Sequence, residues 1–237
     1  MSIVDNIAEI RERVAGAARR AGRSPDDVTL MAVTKTFPVD AIREAYAAGI
    51  RVFGENRVQE FGGKCDGVRD LSGAEWHMIG HLQTNKAGKA VELFSAIDSI
   101  DSVKLAERIN AAGQAAGKKV DVLIEVNVGG EAAKSGVLPA SREIEDILLA
   151  APRLDHVAVH GLMTVPPFAE DPEIARPFFR RMRELRDLIS ARALPAVEME
   201  VLSMGMSHDF EVAIEEGSSC VRIGSAIFGR RLNREGH

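Results

Sequence analysis

The sequence predicts a (β/α)8 TIM barrel, and three observations carry that prediction. Strand-like apolar runs alternate with helix-like stretches eight times, and parallel strands need such crossovers. The 237 residues match a barrel, which commonly runs to about 250 residues as one domain. No long Pro/Gly/Ser linker or low-complexity tract divides the chain, so 1–237 reads as a single domain, with 1–24 as an extra N-terminal helix packed on the barrel.

The elements follow in order. "VTLMAVTK" (28–35) is the first strand, followed by the helix "VDAIREAYAAG", whose apolar spacing is helical and whose Gly49 is a C-terminal stop. "RVFGEN" (51–56) leads to a helical stretch reaching about Asp70, and "EWHMIG" (75–80) to the short helix "TNKAGKAVELF". "SAIDSI" (95–100) precedes "DSVKLAERINAAGQAAG", with Asp101 or Ser102 as N-cap. "VDVLIEVNV" (120–128) precedes "ASREIEDILLAA", and "HVAVHGLMT" (156–164) a long helix from about Pro172 to Arg192. "VEMEVLSMG" (197–205), "SHDFEVAIEEG" and "SCVRIGSAIFG" (219–229) close the series. The third and fourth strands carry the weakest signal; without them the alternative is a six-stranded open sheet.

Composition narrows the function classes. A net charge of -5 offers no basic field for nucleic acid or an anionic membrane. Cys65 and Cys220 form neither a CxxC pair nor a disulfide framework, which fits a reducing compartment. The charged N-terminus lacks the apolar region of a signal peptide, and no run reaches the roughly 18 apolar residues of a membrane span. The expected location is cytoplasmic.

A barrel places its active site at the C-terminal ends of its strands. Those ends supply Lys35, Glu55, Asn56, His77, His81, Gln83, Asn127, Lys134, Ser135, Ser203 and Arg222. Lys35 is the odd one, because an apolar strand delivers an ammonium, which is expensive to bury without a partner. Either it snorkels to the surface or its amine is used in chemistry. The turns after strands seven and eight, with Ser203, Gly205, Ser207, Gly224 and Ser225, read as a phosphate cradle at helix N-termini. Each turn alone is better read as a plain turn former; two ending consecutive strands, with an arginine inside the last, favour the phosphate reading. Asp209 would repel a phosphate, so it is expected to cap its helix and face away. Arg222, flanked by Val221 and Ile223, must point to the opposite face from both. Inside a barrel it needs an anion, a carbonyl or a ring nitrogen, or else a salt bridge to a carboxylate such as Glu125 or Glu200. A lysine, a phosphate cradle and an inward arginine together suggest pyridoxal 5′-phosphate (PLP).

"AVTKTFP", "FGENRVQE", "WHMIGHLQTNK", "EVNVGGEAAKSGV", "GLMTVPP", "LSMGMSHDFEVAI" and "VRIGSAIFG" occur in the order of one known family. The sequence resembles the pyridoxal-phosphate homeostasis protein family (the YggS/PROSC group), itself similar to the barrel domain of alanine racemase, the fold type III of PLP proteins. The resemblance implies that Lys35 is the Schiff-base lysine, that Asn56 lies beside the cofactor and that Arg222 meets the ring nitrogen. It assigns Ser203, Met204, Ser207, Gly224 and Ser225 to the cofactor pocket, chiefly its phosphate end. His208, which departs from the family pattern, is expected at a helix start outside the cradle.

Two functions follow from that resemblance. One is intracellular PLP (vitamin B6) homeostasis without catalysis, with PLP and PLP-dependent apoenzymes as partners and a monomer or weak dimer as the assembly. The alternative is an amino-acid racemase, which needs an acid/base group on each face of the substrate. The only tyrosine, Tyr46, lies mid-helix, and His81 or His160 would have to substitute. Lys134 offers a second amine at the same face.

Overall fold

The computed structural model describes residues 2–131 and 134–229. The expectation of one domain over 1–237 therefore includes residues outside the described ones. Eight parallel strands close into a barrel in chain order, each hydrogen-bonded to the next and the last to the first. They are β1 Thr29–Val33, β2 Val52–Glu55, β3 Glu75–Met78, β4 Ala96–Ile100, β5 Val120–Glu125, β6 Val157–Met163, β7 Val197–Met206 and β8 Cys220–Ile223. Both weak strands are present, which removes the six-stranded alternative. The seam between β1 and β8 is in register, Met31 opposite Arg222 and Ala32 opposite Ile223.

The helices are α1 Ile3–Arg20, α2 Val39–Ala47, α3 Val58–Gly62, α4 Ala87–Leu93, α5 Val103–Ala116, α6 Arg142–Ala150, α7 Arg176–Ser190, α8 Phe210–Glu215 and α9 Ser225–Phe228. Ser102 caps α5 by accepting from the Leu105 N–H at 3.3 Å. Gly49, at φ 88°, ends the turn after α2 in a conformation that costs glycine little. Ile7, Ile10, Val14, Ala17 and Ala18 bury one stripe of α1 at helical spacing. Its polar residues reach across to α8 and α9, with Arg13 paired to Glu211 at 2.8 Å and Asn6 Nδ2 donating to the Ile227 carbonyl at 2.8 Å.

Between the strands and the helices lies a shell of aromatics, with Phe53, Phe61 and Phe94 fully buried and Trp76 partly so. Phe53 stacks on Trp76 (4.8 Å) and Phe61 packs on Phe94 (5.0 Å), each such side chain contributing about 1.5–3 kcal/mol of burial. The strand ends differ from the sequence expectation in ways that matter for the site. β1 stops at Val33, leaving Lys35 in a turn; β5 stops at Glu125. β8 stops at Ile223 rather than 229, because the backbone bends at Gly224 (φ -112°, ψ -79°) into the single turn α9.

Candidate functional site

A cavity of about 730 Å³ opens at the C-terminal ends of the strands. Lys35, Asn56, Ser207, Arg222, Gly224 and Ser225 all line it, so six of the eight expected cofactor residues converge there from four different strand ends. The other two, Ser203 and Met204, do not line it. Met204 lies in the core at 0 % exposure, and Ser203 supports the arginine from behind.

Arg222 is 4 % exposed and spans the barrel interior. One guanidinium nitrogen donates to Ser203 Oγ at 2.7 Å and another to the Thr164 carbonyl at 2.7 Å. A hydroxyl and a carbonyl thus hold it, and neither Glu125 nor Glu200 makes the salt bridge considered above. Burial pulls its guanidinium below the usual value, with the nearby acidic groups opposing; arginine stays cationic all the same. The cavity therefore has a fixed positive donor in its wall.

Lys35 sits half-buried in the turn between β1 and α2, and Phe37 beyond it packs on Phe228 at 4.7 Å. Thr36 next to it has φ 69°, a left-handed backbone that β-branched residues rarely adopt. Thr34 Oγ1 donates to Glu55 Oε1 at 2.8 Å, and the Thr34 carbonyl accepts from Lys64 Nζ at 3.1 Å. The Thr36 N–H donates to Glu60 Oε1. Asn56 is set by a close backbone approach: a Cβ on Gly80 would lie 2.4 Å from the Asn56 carbonyl oxygen.

The cradle residues are arranged differently from the expectation. Ser207 Oγ accepts from the Ala226 N–H at 3.3 Å, joining the turns after β7 and β8. Gly205 is needed for packing, since a Cβ there would lie 2.6 Å from that of Ala213 on α8. Asp209 occupies the N-cap position of α8 but makes no side-chain cap; its Oδ1 accepts from the Met206 N–H at 2.7 Å instead, and it stays out of the cavity lining. His208, expected outside the cradle, lines the cavity, with Nε2 against the Glu170 carbonyl at 2.7 Å and its ring 5.7 Å from that of Phe168. With α8 and α9 so short, the groups able to hold an anion there are hydroxyls and backbone N–H groups more than helix dipoles.

Other expectations separate cleanly. His81 lines the mouth and pairs with Asp101 at 3.2 Å. His77 lies off the lining, paired with Asp98 at 3.1 Å; burial alone would lower its pKa, but the Asp98 carboxylate raises it to about 10. His160 is in the middle of β6, between Asp121 (3.0 Å) and Glu198 (2.8 Å), and is absent from the cavity lining. Gln83 is absent from the lining, and Tyr46 OH donates to the Ser72 carbonyl at 2.6 Å, away from the cavity. Asn127, Lys134 and Ser135 line the mouth as expected, with Lys134 Nζ on Glu131 (2.7 Å) and the Pro166 carbonyl (3.1 Å).

Glu125 is the wall residue that the strand-end reading passed over. Its Oε1 accepts from Ser135 Oγ at 3.0 Å, its Oε2 is buried with no partner among the described residues, and burial pushes its carboxyl up. Its sequence signal was a carboxylate inside an apolar run, read above only as a possible partner of Arg222. Phe168, 79 % exposed, also borders the cavity, and nothing in its Pro-rich segment foretold that.

Comparison with known proteins accords with this geometry. Residues 6–231 match the model of the alanine racemase N-terminal domain. A protein of Aquifex aeolicus called pyridoxal phosphate homeostasis protein is 46% identical over 232 residues, covering 98% of this chain and 99% of that one. PipY of Synechococcus elongatus, whose structure was solved with PLP bound, is 35% identical with a TM-score of 0.83, over 96% of this chain and 100% of PipY. The alanine racemase of Streptomyces coelicolor shares the fold at a TM-score of 0.71 and 23% identity, this chain covering 58% of it. The chain belongs to the pyridoxal phosphate homeostasis protein family and, through its barrel, to the family of the alanine racemase N-terminal domain.

Proposed function

We propose that this chain binds pyridoxal 5′-phosphate through Lys35 and serves intracellular PLP homeostasis without catalysing a reaction of its own. The observation that carries the reading is the convergence of Lys35 and the buried Arg222 on one cavity. The donor set fits the cofactor: an amine, a permanent cation, two serine hydroxyls, and a glycine that leaves the wall open. A Cβ on Gly224 would meet only Val33, at 3.5 Å, and would narrow the cavity. When bound, PLP supplies an aldehyde that a primary amine can capture and a ring that can draw electrons from a captured amine.

Lys35 would supply the amine for the aldehyde, Ser207, Ser225 and the Gly224 backbone would hold the phosphate, and Asn56 would border the ring. Ser203, behind the wall, holds Arg222, which would face the ring nitrogen. Because Arg222 keeps its protons, the protein delivers none to that nitrogen, which suits holding the cofactor better than activating it. Tyr46, being bonded away from the cavity, supplies no second base; the racemase reading would rest on His81 and Asp101 at the mouth. PLP-dependent apoenzymes as recipients, a monomer or weak dimer, a cytoplasmic location and one functional unit over 1–237 belong to the same proposal. Among the described residues, no helix is long and apolar enough to cross a membrane.

The test is the visible absorption spectrum of the PLP-loaded protein before and after borohydride, for wild type and Lys35→Ala. A borohydride-sensitive band that the variant lacks is expected. A wild type that takes up no PLP refutes the reading, and α-proton exchange of amino acids in heavy water above that of free PLP refutes the non-catalytic part.

A further inference from the structure

The turn that carries Lys35 is gripped on both sides by a partly buried cluster of charges. Lys64 Nζ donates to Glu55 Oε1 (3.1 Å), Glu60 Oε1 (2.6 Å) and the Thr34 carbonyl (3.1 Å), which uses all three donors of an ammonium. The side chain of Lys64 is 14% exposed and that of Glu55 0%. The same two carboxylates accept from Thr34 Oγ1 and the Thr36 N–H, the residues immediately before and after Lys35. None of the three charged residues lines the cavity, and all three are tied to the turn.

Two features show that this cluster does more than fill space. Buried charges cost desolvation, and apolar residues of similar volume commonly stabilise a core as well or better. Here the cost is visible, since Glu55 Oε2 is buried with no hydrogen-bond partner among the described residues and burial pushes that carboxyl up. Glu60 is opposite: burial works against its charge, but Lys64 and the Thr36 N–H outweigh it and hold it below the usual range. Independently, Thr36 stays at φ 69°, and a strained β-branched residue persists only where its surroundings over-determine it.

We propose that Lys64, with Glu55 and Glu60, is the positioning clamp of the cofactor lysine, holding both chain neighbours of Lys35 so that its amine enters the cavity in one direction. The inference rests on the reading of Lys35 given above. Relaxation of Thr36 toward an ordinary backbone would swing Lys35, and the clamp opposes that swing.

The experiment compares full-length wild type, Lys64→Met, Glu60→Gln, Thr36→Gly and the Lys64→Met/Thr36→Gly double variant, each loaded with PLP. Circular dichroism checks folding; the readouts are cofactor retention on ultrafiltration over time and the pH midpoint of the visible band. Lys64→Met should lose cofactor about tenfold faster, the worth of one charge-assisted hydrogen bond, and shift the midpoint. Glycine tolerates positive φ, so Thr36→Gly should restore most of both in the double variant. A folded Lys64→Met with wild-type retention and midpoint overturns the clamp, and so does a loss that Thr36→Gly leaves uncorrected, which would mark a packing role. If Lys64→Met folds poorly, Glu60→Gln, which removes the charge that strengthens the Thr36 and Lys64 ties, takes its place with the same two outcomes. A wild type without a borohydride-sensitive band overturns the Lys35 reading itself and this inference with it, whereas variant effects on a normal wild-type band judge the clamp alone.

Discussion

Arg222→Met separates what the arginine does for the fold from what it does for the ligand. The substitution keeps a long side chain but removes two charge-assisted hydrogen bonds, to Ser203 Oγ and the Thr164 carbonyl, both at 2.7 Å. At about 1.5–3 kcal/mol each, that forfeits about 3–6 kcal/mol. Against this stands the relief of a guanidinium that is 4 % exposed and has no ion pair with a carboxylate among the described residues. Effective desolvation costs of several kcal/mol per ion make the two sides nearly cancel. The ligand-free variant should therefore melt within about 5 °C of wild type. Its affinity for PLP should fall about 10- to 150-fold, the worth of one hydrogen bond from a charged donor at about 1.5–3 kcal/mol. Thermal melts of ligand-free protein and a visible titration with PLP measure the two quantities. A melting point lowered by more than about 10 °C, with wild-type affinity, would show Arg222 to be a strut of the barrel and refute the reasoning.

Two further outcomes follow from the geometry. Gly80→Ala forces a Cβ to within 2.4 Å of the Asn56 carbonyl oxygen, so it should destabilise by about 1–3 kcal/mol in denaturant melts and weaken PLP binding; an unchanged midpoint and affinity would contradict the close approach. His77, raised to about 10 by Asp98, gives stability that is fully present below its unfolded pKa of about 6.5 and is lost as pH rises through 10. The melting temperature of wild type should accordingly drop between pH 7 and 10.5 by about 5 °C or more, and Asp98→Asn should be less stable at pH 7 but flatter over that window; equal slopes would remove the pair from the account.

The barrel was legible because most of its strands are buried on both faces and so read as apolar runs. β3 and β4 were faint for a physical reason: they carry His77 and Asp98, polar residues that satisfy each other across the sheet at 3.1 Å and so need no apolar neighbours. Lys35 and Arg222 stood out because each is a charge where an apolar chain should continue. What stayed hidden depends on partners distant in sequence. Thr36 gives no sign of its φ 69°, and Lys64 resembles any surface lysine until Thr34, thirty residues earlier, is brought against it. Ser203 was read as a ligand hydroxyl because a strand-end position does not reveal depth; the register puts it one layer below the cavity, under Arg222. Asp209 was expected as a cap, and the Met206 N–H claimed its oxygen first.

The seam has a consequence for the order of events in the cell. Lys35 follows the first strand and Arg222 lies in the last, and only the pairing of β1 with β8 makes them neighbours. A nascent chain emerges amino end first, so its lysine leaves the ribosome long before the arginine exists. Until the eighth strand docks, the amine is one more surface lysine, open to any aldehyde. The wall that holds both residues is therefore complete only at the moment the ring of strands becomes a circle.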